Sequence, residues 1–216
     1  MKAFSYLSKY ILLEAKEYGT YAYPDVLVSQ ELRFYHVPLG GQQDNIFTEE
    51  GFLMTGRQAV DFLVLLQKGA VFDGKGGKVS RTVVNTLRDH FLNPREPFRG
   101  ERLDGQFAVL EGVRLLTYHA IHSDGELHQR TDQLTDCLLE ERLGGVDVDH
   151  WLRAATAHGL PPVSSPAGRL RYLPPQHLGI PWLGVDEYGL ILSCRGNPSF
   201  RDEHFGVRKV ILKEMS

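Results

Sequence analysis

Seven of the eleven prolines in this 216-residue chain fall between Pro161 and Pro198. Proline locks φ near −65° and has no N–H to donate, so this stretch cannot be long helix, nor central strand except in short pieces. A loop-rich β region is expected there. Its candidate strands are Arg169 to Leu173, Ile180 to Val185, Leu190 to Arg195 and Val207 to Lys213, the last tying down the end of the chain.

The remainder alternates in period. Phe4, Leu7, Ile11, Ala15 and Tyr18 recur at helical spacing and predict an N-terminal helix stopped at Gly19. Strands are expected over Asp25 to Ser29 and Leu32 to Val37, closed by Pro38 and Gly40-Gly41. Thr55 caps a predicted helix over Gly56 to Lys68, and Ser80 caps a second over Arg81 to Leu92. Phe107 to Leu110 and Val113 to Ile121 read as two strands joined at Glu111-Gly112. Leu127, Leu134 and Leu138 predict an amphipathic helix from Glu126 to Leu143, and Asp147 starts another around Trp151 and Leu152. The expected class is α+β: several helices with short, mostly antiparallel strands and a Pro/Gly-rich β C-terminal region. One domain over residues 1–216 is expected, with a possible subregion boundary near 159–168.

Composition narrows function by exclusion. With 42% hydrophobic and 24% charged residues the chain has the make-up of a folded globular protein. A net charge of −3, with lysines and arginines spread along the chain, argues against nucleic acid and membrane surfaces as partners. No apolar run approaches the length of a bilayer crossing, and the start lacks the pattern of a leader, so a cytoplasmic address is expected. Cys137 and Cys194 are far apart in sequence and read as two free thiols. The run Asp73-Gly74-Lys75-Gly76-Gly77-Lys78 lacks the spacing of a phosphate-binding loop and is expected to be a turn.

Three of the nine histidines, His119, His122 and His128, fall within ten residues, with Asp124 and Glu126 among them. Imidazoles and carboxylates at this density could hold one divalent metal ion. Backbone period decides whether they converge: on a strand His119 and His122 face opposite ways, on a helix they are neighbours. The β-branched and aromatic residues around them favour the strand. Ser123-Asp124-Gly125 is similar to a fragment of metal-dependent phosphoesterases of the polymerase and histidinol phosphatase type, whose His-x-His pair has no counterpart in that place here. A hydrolase in which His119, His122, Asp124 and His128 hold a metal that activates water is the alternative function.

Arg195, Arg201 and Arg208 form a second group, beside a Pro-Gly loop near the C-terminus. Guanidinium groups hold carboxylates bidentately, so the three are candidates for binding a ligand or partner. The segment Phe205-Gly206-Val207-Arg208 resembles the closing strand of formylglycine-generating-enzyme-like and C-type-lectin-like domains, which implies a carbohydrate or peptide module as a further possibility. Tyr6, Tyr10, Tyr18, Tyr21, Tyr23, Phe34 and Tyr35 concentrate near the N-terminus and suit self-association or partner contact. None of the well-marked nucleophile, zinc-protease or dinucleotide motifs occurs. The leading expectation is therefore a cytoplasmic binding or interaction protein, for an unknown protein or small ligand, with no cofactor and no catalytic centre of its own.

Overall fold

The computed structural model describes residues 6–93, 98–122, 125–142 and 144–213. The chain runs through a 3-10 turn (Tyr6–Lys9), β1 (Tyr10–Leu13), β2 (Lys16–Tyr18), β3 (Tyr21–Tyr23), β4 (Val26–Arg33), α1 (Leu39–Thr48), β5 (Phe52–Leu53), α2 (Gly56–Lys68), α3 (Arg81–Leu92) and β6 (Arg99–Arg102). It continues through β7 (Gln106–Leu110), β8 (Val113–Ile121), β9 (Leu127–Gln133), α4 (Val148–Ala154), β10 (Arg171–Leu173), β11 (Ile180–Asp186), β12 (Gly189–Gly196) and β13 (Phe205–Leu212). Strands account for 40% of the described residues and helices for 23%. The fold is β-rich, which overturns the α+β expectation.

An eight-stranded sheet organises the molecule in the order β1-β4-β13-β6-β11-β12-β10, with β5 also paired to β13. Its ladders are antiparallel except β13 on β6 and β10 on β12. The long strand β13 reaches the middle of the sheet, where β4 flanks one edge while β6 and then β5 flank the other. Helices α2 and α3 cover one face, with Phe62, Leu63, Val84, Leu87 and Phe91 buried against Val26, Val28, Leu183 and Leu192. Helix α1 covers the other, burying Leu39 and Ile46 with Leu53, Ile180 and Val207. Side-chain alternation along β13 explains the two cores: Val207 points to α1, Arg208 to α2 and α3. A second sheet, β7-β8-β9, and the hairpin β2-β3 pack beside α2, joined through the rings of Tyr21 and Tyr118.

Three departures account for the change of class. The predicted N-terminal helix is strand: β1 buries Ile11 and Leu13 in alternation, and Gly19, at φ 59°, makes the turn between β2 and β3 instead of ending a helix. The predicted helix from Glu126 is β9, paired residue for residue with β8 from Ile121↔Leu127 to Leu115↔Gln133, after which Leu134 and Leu138 enter the core from irregular chain. In the opposite direction, the Gly40-Gly41 region expected to close a strand forms α1. A Cβ on Gly41 would lie 2.7 Å from Val37 Cγ1, so the glycine allows that close entry. The caps at Thr55 and Ser80, both helices they begin, α4 and the β7–β8 hairpin stand as expected.

Candidate functional site: a cavity beside the buried Glu101–Arg208 pair

Arg208 is 1% exposed and sits where β13 is irregular, between Arg208 and Val210 in its pairing with β4. Its Nη1 donates to the carbonyls of Ser29 (3.1 Å) and Gln30 (2.7 Å), and its Nε donates to Glu101 Oε2 at 3.0 Å. The guanidinium lies over the rings of Phe91 and Phe62, 5.2 and 5.7 Å from their centroids. Glu101, on β6, is 2% exposed, and its Oε1 accepts from no donor among the described residues. Burial pushes the Glu101 carboxyl above its ordinary pKa, and Arg208 offsets this only in part.

Beside this pair is a cavity of about 240 Å³. Gln30, Leu32, Tyr35, His90, Phe91 and Leu183 line it, together with the ion pair. The sequence creates it locally by the way β4 leaves the core. Val26 to Ser29 are buried, whereas Gln30 to Arg33 alternate between half-buried and exposed as the strand runs out from under the helices. Helix α3 supplies His90 and Phe91 from its last turn. At about 30 Å³ per liquid water, the space equals roughly eight waters or one small organic molecule.

A second cluster is richer in titratable groups but closed. Asp104, 3% exposed, accepts from the backbone N–H of His119 at 2.5 Å and lies 3.0 Å from its Nδ1. The hydrogen bond with Asp104 raises the His119 pKa against the effect of burial. Nearby, the Tyr118 hydroxyl donates to Asp132, and His158 stands 3.6 Å from the same carboxylate with its pKa lowered by burial. Tyr21 donates to or accepts from Thr55 at 2.6 Å. The gap among Tyr21, Thr55, Asp104, Tyr118 and His158 measures only about 10 Å³. That is one water's room at most, and no substrate fits.

The candidate residues read from sequence are distributed as follows. Strand alternation on β8 sends His119 to Asp104 and Phe47, while His122 lies on the other face with its ring 5.2 Å from that of His128. Asp124 lies outside the described residues. Among the described residues no three or more His, Cys, Asp or Glu side chains form a group able to hold a metal. Arg195 pairs with Glu141 at 3.2 Å and donates to the Pro174 carbonyl, Arg201 is exposed, and Arg208 alone reaches the cavity. Both cysteines are free and buried, and burial raises each thiol pKa. In the glycine-rich turn, Asp73 Oδ1 accepts from the amides of Lys75 and Gly77, so the chain's own carboxylate fills that loop. The N-terminal tyrosines Tyr18, Tyr21 and Tyr23 spend their hydroxyls inside the fold, on Asp61 and Thr55.

Glu101 is the residue the sequence hid. In Arg99-Gly100-Glu101-Arg102 the charges suggest a solvated segment, and only pairing with β11 on one side and β13 on the other buries it. Fold and site together define a β-rich domain with an open, mainly apolar cavity between a mixed sheet and the end of a helix. No protein-family model, curated protein or solved structure matches the chain.

Proposed function

We propose that this chain is a cytoplasmic small-molecule-binding protein that takes its ligand in the cavity beside Glu101 and Arg208. The observation that carries the reading is the open cavity of about 240 Å³ whose lining includes the buried Glu101–Arg208 ion pair. The mixture of apolar wall (Leu32, Phe91, Leu183) and few polar groups is what small-molecule sites commonly present, and at 240 Å³ the space suits a small ligand. Two free cysteines accord with a reducing compartment. No helix among the described residues is long and apolar enough to cross a membrane.

Leu32, half-buried at the cavity wall, provides the test. A Leu32→Trp substitution adds bulk where the strand is already leaving the core, so the space fills while the fold persists. Thermal shift against a library of small fragments is expected to yield compounds that stabilise the native chain and fail to stabilise Leu32→Trp. A library with no such compounds, or compounds acting equally on both proteins, would remove this function.

A further inference from the structure

We infer that the ligand of this cavity is an uncharged molecule carrying a carbonyl-type acceptor oxygen on an apolar body, and that Arg208 Nη2 donates to that oxygen. The inference rests on the cavity being a ligand site and adds the chemistry it selects. Arg208 is 1% exposed and lines the cavity. Its Nε donates to Glu101, and its Nη1 donates to the carbonyls of Ser29 and Gln30. Nη2 donates to no acceptor among the described residues, yet it is not one of the nitrogens sealed off from the surface. The guanidinium is otherwise enclosed by Glu101, the two carbonyls and the rings of Phe62 and Phe91, so the cavity is the space from which Nη2 is reached. Glu101 Oε1 is the opposite case, unpaired but sealed. What the buried pair offers a ligand is therefore a donor.

The rest of the lining decides the charge and the body. Arg208 and Glu101 cancel inside the fold, and the exposed side chains of Glu31 and Arg99 oppose each other at the surface. An ionic ligand would give up its hydration and find no counter-charge to replace it. A carboxylate on Nη2 would share one guanidinium with the Glu101 carboxylate, and an ammonium group would face the guanidinium itself. A neutral acceptor escapes both repulsions and keeps the hydrogen bond to a charged donor, the stronger kind. Leu32, Leu183 and the rings of Tyr35 and Phe91 supply the apolar surface against which the remainder of the molecule is buried. A ligand with no oxygen gains that burial but leaves Nη2 unpaired in a dry cavity.

Isothermal titration of the full chain with acetophenone, benzoate, benzylamine and ethylbenzene separates these cases, since the four share a ring and differ in charge and oxygen. Acetophenone is expected to bind one per chain, about tenfold or more tighter than the others. Its carbonyl stretch in the bound state should lie below the frequency it has in an alkane, the infrared sign of an accepted hydrogen bond. Replacing the pair together, Glu101→Leu with Arg208→Met, removes both charges at once, a change that buried ion pairs often tolerate. In that variant acetophenone should fall to the affinity of ethylbenzene, and in Leu32→Trp its binding should be abolished. Should the double variant fail to fold, the infrared shift in the native chain decides: an alkane-like carbonyl in bound acetophenone would overturn the Arg208 contact. Benzoate, benzylamine or ethylbenzene binding as tightly as acetophenone, with the Leu32→Trp block intact, would overturn the neutral-acceptor assignment and leave the cavity as a ligand site. Acetophenone binding that survives Leu32→Trp, or the absence of binding by all four compounds, would overturn the inference; a fragment library equally silent would take the cavity reading with it.

Discussion

Asp61 gathers four side chains onto one buried carboxylate. Lys16 (2.8 Å), Tyr18 (2.6 Å) and Arg57 Nη2 (2.8 Å) donate to Oδ1, and Tyr23 (2.7 Å) and Arg57 Nε (3.3 Å) donate to Oδ2. Burial works against the charged form, yet the donors from Arg57, Lys16 and Tyr18 outweigh it and hold the pKa below the ordinary value. Removing the carboxylate strands the Arg57 guanidinium, which is itself buried. Asp61→Ala is therefore expected to cost about 3–5 kcal/mol in urea unfolding, against about 1 kcal/mol for Tyr23→Phe, which deletes one donor of several. A loss under 1 kcal/mol for Asp61→Ala would contradict the hub. His119 behaves oppositely with pH. Its folded pKa is raised by Asp104, so its contribution is whole below the unfolded value, near 6.5, and fades as pH rises through the folded value. Stability measured from pH 5 to 9 should thus decline less steeply on the alkaline side in His119→Ala than in the native chain. Identical slopes would show that the imidazole is not coupled to folding.

At the scale of elements, the start of α2 bears the most constraint. Thr55 and Gln58 form a capping box, and the same Thr55 hydroxyl meets Tyr21. Immediately beyond, Gly56 and Gly159 bring two backbones together: a Cβ on Gly159 would lie 2.2 Å from the Gly56 carbonyl oxygen, and one on Gly56 would lie 2.6 Å from that of His158. Gly159 also holds φ 79° and accepts from Trp151 Nε1 through its carbonyl. Gly159→Ala combines left-handed strain with a backbone clash that no rotamer relieves, and at least about 1–3 kcal/mol of stability should be lost. Chemical denaturation of that variant beside Gly76→Ala, where φ is 78° and nothing lies within 4 Å, isolates the clash. Equal losses at the two sites would mean that the close approach is unimportant. The Thr55 cap was visible in the sequence as a helix signal. Why Gly159 must be glycine was not, since the contact it permits lies about a hundred residues away in the chain.

For the whole molecule, acid should be the weaker side. Asp25, Glu49, Asp61 and Asp202 all have folded pKa values below their ordinary ones; for Asp25 the Ala15 amide is the main cause, for Glu49 it is Arg33, and for Asp202 it is His204 overcoming burial. Depressed carboxylates stabilise above their unfolded pKa and lose that contribution as pH falls through the folded value. Glu101 is shifted upward and acts in the opposite sense, a single group against four. The melting temperature is accordingly expected to fall below about pH 4, with the loss reduced in Asp61→Asn relative to its own neutral-pH value. A melting temperature flat to pH 3 would contradict the carboxylate account.

The sequence by itself determined α2, α3 and α4 with their caps, the β7–β8 hairpin and the four C-terminal strands, because a cap, a tight turn and a proline act within a few residues of where they stand. It also separated His119 from His122 through strand alternation. Tertiary structure alone decided the rest. Leu127, Leu134 and Leu138 have helical spacing, yet β8 offers β9 a ladder of seven residue pairs that local propensity cannot match. Helix α1 forms across two glycines because Gln42, fully buried, bonds to the carbonyl of Phe34 and receives Arg102. The candidate site is the most distant case: Glu101 and Arg208 are 107 residues apart, and charged side chains read as surface until β4, β6 and β13 assemble around them. Burial is a property of the assembled sheet, so the buried pair and its cavity arise only when distant strands meet.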